Sequence, residues 1–139
     1  MAVDTEILLT EILLRLVLAA VAGGLIGFER EKVHKPAGLR THMLVSMAAA
    51  LFILVTLRTT PDESARIISG IATGVGFLGA GTIFRAENHV KGLTTAASIW
   101  AIAAIGITAG LGEYAIMATA TVLVLLILQL NKIKFLREV

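Results

Sequence analysis

Apolar residues in this chain fall in long unbroken blocks rather than in the alternation of a strand or the narrow stripe of a soluble helix. Five blocks stand out, over residues 7–28, 39–57, 67–84, 93–111 and 114–130. A membrane-spanning helix needs about 20 predominantly apolar residues, with a range of about 17–25. Barrel strands would be about half that length and would alternate in polarity. The pattern therefore predicts an all-α membrane bundle of five spans. The connections, 29–38, 58–66, 85–92 and 112–113, are short and leave no room for a domain outside the membrane. Glu11 and Arg15 interrupt the first block. It has no basic leading region and ends in Phe28-Glu29-Arg30 rather than at a small-residue cleavage site, so we read it as a retained span and not a signal peptide.

Composition agrees. The 139 residues are 57% hydrophobic and 16% charged, against about 45–50% and about 25% in soluble domains, and the mean hydropathy is +0.89. The length fits one domain, residues 1–139. Low charge excludes a disordered tail, and a net charge of +2 spread over many segments excludes an ordinary nucleic-acid-binding domain. With no cysteine there is neither a disulfide nor a thiolate metal site. The partner that composition implies is the lipid bilayer.

Orientation follows from the basic residues. With the N-terminus outside, Arg30, Lys32, Lys35, Arg40, Arg85, Lys91, Lys132, Lys134 and Arg137 are cytoplasmic and only Arg58 and Arg66 are external. Nine against two is the bias that the positive-inside rule requires. The expected topology is N-terminus out and C-terminus in.

Glycines mark the helix contacts. Gly23 and Gly27, Gly70 and Gly74, and Gly106 and Gly110 are each four apart, a spacing that puts small residues on one face and lets another backbone approach. Gly74, Gly76, Gly79 and Gly81 crowd the third block. The expected packing residues are Gly23, Gly27, Gly70, Gly74, Gly76, Gly79 and Gly81. Either the third span is a thin helix enclosed by its neighbours, or it is locally broken beside a cavity; the sequence leaves both open.

Polar groups gather at the inner boundary in this topology. Glu29 and Arg30 end the first span, Arg40, Thr41 and His42 open the second, Arg85 ends the third, and Thr94, Thr95 and Ser98 open the fourth. Ionisable groups inside spans are rare and face the bundle interior or water, so these nine residues form the candidate functional cluster. The plainer alternatives are arginines that snorkel to lipid phosphates and a Glu29–Arg40 ion pair that closes a loop. Arg15 follows Glu11 by four residues, the favourable order for a local pair. His34, His42 and His89 lack metal-site spacing, and no nucleophile–base motif is present. No metal, cofactor or catalytic residue is expected. Trp100 falls in mid-span and is expected to pack inside the bundle.

Four blocks carry a family resemblance. Gly24-Leu25-Ile26-Gly27-Phe28-Glu29-Arg30 with Ala37-Gly38-Leu39-Arg40-Thr41-His42, then Gly74–Ile83 and Lys91–Trp100, resemble in order and spacing the signatures of the MgtC/SapB membrane-protein family. The resemblance implies a five-span module in a bacterial or archaeal plasma membrane, linked to magnesium homeostasis and, in pathogens, to survival in macrophages. It also implies a possible partner in the F-type ATP synthase. Many members continue into a cytoplasmic C-terminal domain, whereas this sequence ends at Val139. Some members carry Asn at the position of Thr94.

Two functions compete. One is a non-enzymatic regulator that binds other membrane proteins, or itself as a homodimer, through glycine-lined faces. The other is a cation (Mg²⁺) transporter or a small-ligand-binding module. Magnesium prefers carboxylates and water, and Arg30, Arg40 and Arg85 oppose a dication, which ranks the regulator first.

Overall fold

The computed structural model describes residues 2–86 and 89–130, with side chains for residues 8–85 and 89–130. Five helices run α1 (Ala2–Lys32), α2 (Leu39–Thr59), α3 (Ser64–Ala80), α4 (Leu93–Leu111) and α5 (Tyr114–Gln129). A 3-10 turn, Pro61–Glu63, leads into α3, and a small antiparallel hairpin of β1 (Phe84–Ala86) and β2 (His89–Lys91) leads into α4. The architecture is an all-α bundle. Among the described residues three helical stretches are long and apolar enough to cross a membrane, Leu8–Lys32, Leu39–Thr59 and Leu93–Leu111. α5 is apolar at 16 residues and α3 has 17, about 25 Å of helix against a hydrocarbon core of about 30 Å. Lys132, Lys134 and Arg137 lie outside the described residues.

The centre of the bundle is α4, which packs on each of the other four helices. Its Ile99, Ile102, Ala103, Ile105 and Ala109 are all buried. Its small residues let the neighbours approach. A Cβ added at Gly106 would run into the Ser46 backbone, and one at Gly110 would stand 2.8 Å from the Ala50 carbonyl oxygen. α1 and α2 are joined in the same way. A Cβ at Gly23 would enter the His42 carbonyl, and one at Gly27 would lie 2.7 Å from the Leu39 Cα. Direct backbone contact of this kind drives association where lipid is as apolar as any side chain.

Local chemistry ends the helices where the sequence turns polar. After α1, His34 adopts φ 54°, the Lys35 N–H donates to the Arg30 carbonyl and the His34 N–H to the Glu31 carbonyl. This is a Schellman stop with a histidine where glycine is usual. Glu31 then accepts the Leu39 N–H at 2.8 Å and so caps α2 from the end of α1. Gly112 at φ 80° closes α4 with the same pair of reversed bonds, to Ala109 and Thr108.

Three expectations are corrected. The third block is helical only to Ala80; residues 81–83 turn and Phe84 already belongs to the hairpin. The helix runs unbroken through its glycines, yet its neighbours do not enclose them: Gly70, Gly74 and Gly76 have nothing within 4 Å of an added Cβ. Among the described residues no neighbour reaches those three, so they are not packing residues within one chain. Gly79, on the opposite side of the helix from Gly70, is at ordinary contact with Ala96, while an added Cβ at Gly81 meets, among the described residues, carbonyls of its own helix. Trp100 is 55% exposed and faces outward rather than into the bundle.

Candidate functional site: a buried polar junction

Glu29, Arg30, His42, Thr95 and Ser98 are all buried, and they come from α1, α2 and α4. Each helix reaches this level where its apolar block begins or ends, so the polar side chains enter the core from the helix ends. Arg30 Nε donates to Glu29 Oε2 at 2.6 Å, with Arg30 only 4% and Glu29 8% exposed. Neighbouring residues on a helix rarely face each other, so the long Arg30 side chain bends back to reach its partner. Glu29 Oε1 is buried without a hydrogen-bond partner among the described residues. Arg30 also lies within electrostatic reach of the His42 ring.

His42 links the helices. Its Nδ1 lies 2.9 Å from the Gly38 carbonyl oxygen and its Nε2 lies 3.0 Å from Ser98 Oγ. A carbonyl only accepts, so Nδ1 carries a proton. Ser98 Oγ also lies 2.8 Å from the Thr95 carbonyl oxygen. With a neutral ring, the one hydroxyl proton has two acceptors, Nε2 and Thr95; with an imidazolium all three bonds are made at once. Ser46, one turn beyond His42 on the same face, has a buried hydroxyl with no partner among the described residues.

The other sequence candidates stand elsewhere. Arg40, Thr41, Arg85 and Thr94 are exposed. Among the described residues Glu29 pairs with Arg30 through Oε2 and not with Arg40, whose side chain is exposed. Arg85 sits on the hairpin, outside the helical core. Sequence reasoning missed Glu31 as the cap of α2 and Ser46 in the core; the i, i+4 spacing of His42 and Ser46 was the available signal.

At the opposite end, Arg15 does more than pair with Glu11. Its guanidinium donates to Glu11 Oε1 at 2.6 Å and to the Gly110 carbonyl at 2.8 Å, and the Tyr114 hydroxyl reaches the same carboxylate at 3.4 Å. Arg15 thereby holds the C-terminal turn of α4 against α1, where a cation is favoured by the helix dipole. Among the described residues no group of three His, Asp or Glu is placed to hold a metal ion.

A bundle with a glycine-spaced helix crossing and a buried ion pair at one level defines a class, the small helical membrane protein with a polar core. The particular family follows from comparison. Residues 16–134 match the MgtC family, and the chain belongs to it. It is 43% identical over 122 residues to Protein MgtC of Salmonella typhimurium strain LT2, covering 88% of this chain and 53% of that protein. It is 44% identical over 128 residues to the "Putative magnesium transporter YhiD" of Escherichia coli K12, covering 86% and 60%. Protein MgtC of Brucella abortus is 45% identical over 108 residues, covering 77% and 45%. The chain thus spans about half the length of the curated relatives it matches. No solved structure matches it.

Proposed function

We propose that this chain is a non-enzymatic, multi-pass plasma-membrane protein tied to magnesium homeostasis, and that it acts by binding other membrane proteins. The observation that carries this reading is the groove between α2 and α3. It encloses about 660 Å³ and is lined by Leu44, Ala48 and Phe52 on one side and by Gly70, Gly74 and Leu78 on the other. Beside it Phe77 is 82% exposed. Small residues spaced for close approach, with nothing among the described residues within 4 Å of a Cβ added at Gly70 or Gly74, suit the backbone of another transmembrane helix. The F-type ATP synthase implied by the family resemblance is the first partner to test, and a second copy of the chain is the other. The magnesium link rests on the names of the relatives.

The E. coli relative's name favours transport instead. Against that reading, the carboxylate of Glu29 is already held by Arg30, and a dication at this level meets a buried guanidinium. Magnesium flux into proteoliposomes holding the purified chain decides between the two. Regulation predicts flux no greater than in empty vesicles, and a saturable, protein-dependent flux would establish transport.

A further inference from the structure

A second cavity, separate from the α2–α3 groove, lies between the α1–α2 connection, the hairpin and the first turn of α4, with a volume of about 620 Å³. His34 and Lys35 face it from the connection, Lys91 from the end of β2, and Gly92, Thr94 and Thr95 from the start of α4. These groups converge because of two backbone features. The left-handed turn at His34 reverses the chain after α1 and carries Lys35 to this side. Gly92, at φ 91°, is pressed so closely under the Thr82 carbonyl that no side chain fits there, which seats the start of α4 against the hairpin.

Three features give the cavity one chemical preference. First, α4 is a 19-residue helix whose N-terminus has no side-chain cap. The Leu93, Thr94 and Thr95 N–H groups therefore lack intrahelical partners and add the positive end of the helix dipole. Second, Lys35 and Lys91 bring two cations from different elements, and no carboxylate lines the cavity among the described residues. Third, Thr95 is only 2% exposed, yet its hydroxyl has no hydrogen-bond partner among the described residues and it forms part of the cavity wall. The residue is buried but its hydroxyl oxygen is reached from the cavity, where it is open to hydrogen-bond with an occupant. Free N–H groups, a free hydroxyl and two ammonium groups are the donors that a tetrahedral oxyanion accepts from.

We infer that this cavity binds a phosphate group, through Lys35, Lys91, the Thr95 hydroxyl and the exposed N–H groups of the first turn of α4. The phosphate belongs either to an anionic lipid headgroup or to a free phosphate ion, and both offer the same oxygens. This site does not depend on the partner-binding reading, since it uses neither face of the α2–α3 groove.

The test is thermal unfolding of the full chain in neutral detergent, with phosphate or chloride at matched ionic strength, and with phosphatidylglycerol or phosphatidylcholine in mixed micelles. The wild type is expected to gain a saturable Tm rise of about 4 °C from one phosphate source or both. A rise with inorganic phosphate assigns a free anion, and a rise with phosphatidylglycerol alone assigns a headgroup. In Lys35→Gln with Lys91→Gln, and separately in Thr95→Val, the rise is expected to fall below half. Both lysines are exposed, so the double variant keeps its unliganded Tm and carries the test even where Thr95→Val fails to fold. The inference is overturned if neither source shifts Tm beyond its control, or if the shift survives undiminished in the lysine variant.

Discussion

His42 and Ser98 stand 56 residues apart in the chain and meet at 3.0 Å in the core, where the imidazole joins the start of α2 to the start of α4. The contact is fully desolvated, so its loss leaves a buried ring nitrogen without a partner. We expect Ser98→Ala to lower stability in detergent by about 1–3 kcal/mol. Thr94→Val, on an exposed neighbour, is expected to stay within about 0.5 kcal/mol of wild type. Denaturant titration of the two variants side by side checks the contrast.

Glu29 and Arg30 form a buried pair from adjacent residues. Removing one partner strands the other, so Glu29→Ala and Arg30→Ala are each expected to cost about 3–5 kcal/mol. Arg40→Ala, at an exposed position, is expected to cost less than about 1 kcal/mol. Yield and Tm of the three purified variants show whether Arg30 rather than Arg40 serves Glu29.

The glycines divide into two groups with opposite responses. Gly23→Leu drives a side chain into the α2 backbone and is expected to destabilise the bundle by about 3 kcal/mol or more. At Gly74 an added Cβ meets nothing within 4 Å among the described residues, so Gly74→Leu extends into the open groove and gains up to about 1 kcal/mol of helix propensity. Its expected loss is association. In light-scattering measurements on detergent-solubilised protein we expect a wild-type homodimer and a Gly74→Leu monomer of equal or higher Tm.

His34 holds a left-handed conformation that costs a side chain about 1–2 kcal/mol and glycine almost nothing. His34→Gly is accordingly expected to raise stability by about 1 kcal/mol, measured as an increase in Tm without added phosphate.

Topology is testable because the sequence has no cysteine. Arg58→Cys and Lys91→Cys each introduce a single exposed thiol. A membrane-impermeant maleimide is expected to label Arg58→Cys in intact cells, and Lys91→Cys only after permeabilisation. The reverse pattern would move the polar junction to the outer face.

The apolar blocks made the helices legible, and their length made the membrane legible. The α1–α2 crossing was readable from Gly23 and Gly27, because a four-residue spacing of glycines has little other use there. Gly70 and Gly74 have the same spacing and no neighbour within the chain; spacing reports that a backbone is able to approach, not which backbone does. The polar junction was half legible. Glu29, Arg30, His42, Thr95 and Ser98 were placed at one level by counting along the spans, but Arg40, Thr41 and Thr94 lie at that level too and point outward. Level along a helix follows from position in sequence, whereas the facing side depends on how the helices roll against each other. The hairpin was hidden because Phe84 extends an apolar block that had already stopped being helical at Ala80.

The central claim is that the chain works by receiving a transmembrane helix in the groove between α2 and α3. Photo-crosslinking in living cells at low magnesium tests it most directly, with a photoreactive residue at Ala48 in the groove and, as control, at Leu126 on the exposed side of α5. The account predicts discrete protein adducts from Ala48, of another membrane protein or a second copy, that Gly74→Leu abolishes, and lipid adducts alone from Leu126. Lipid adducts alone from Ala48, or protein adducts indifferent to Gly74→Leu, would contradict it.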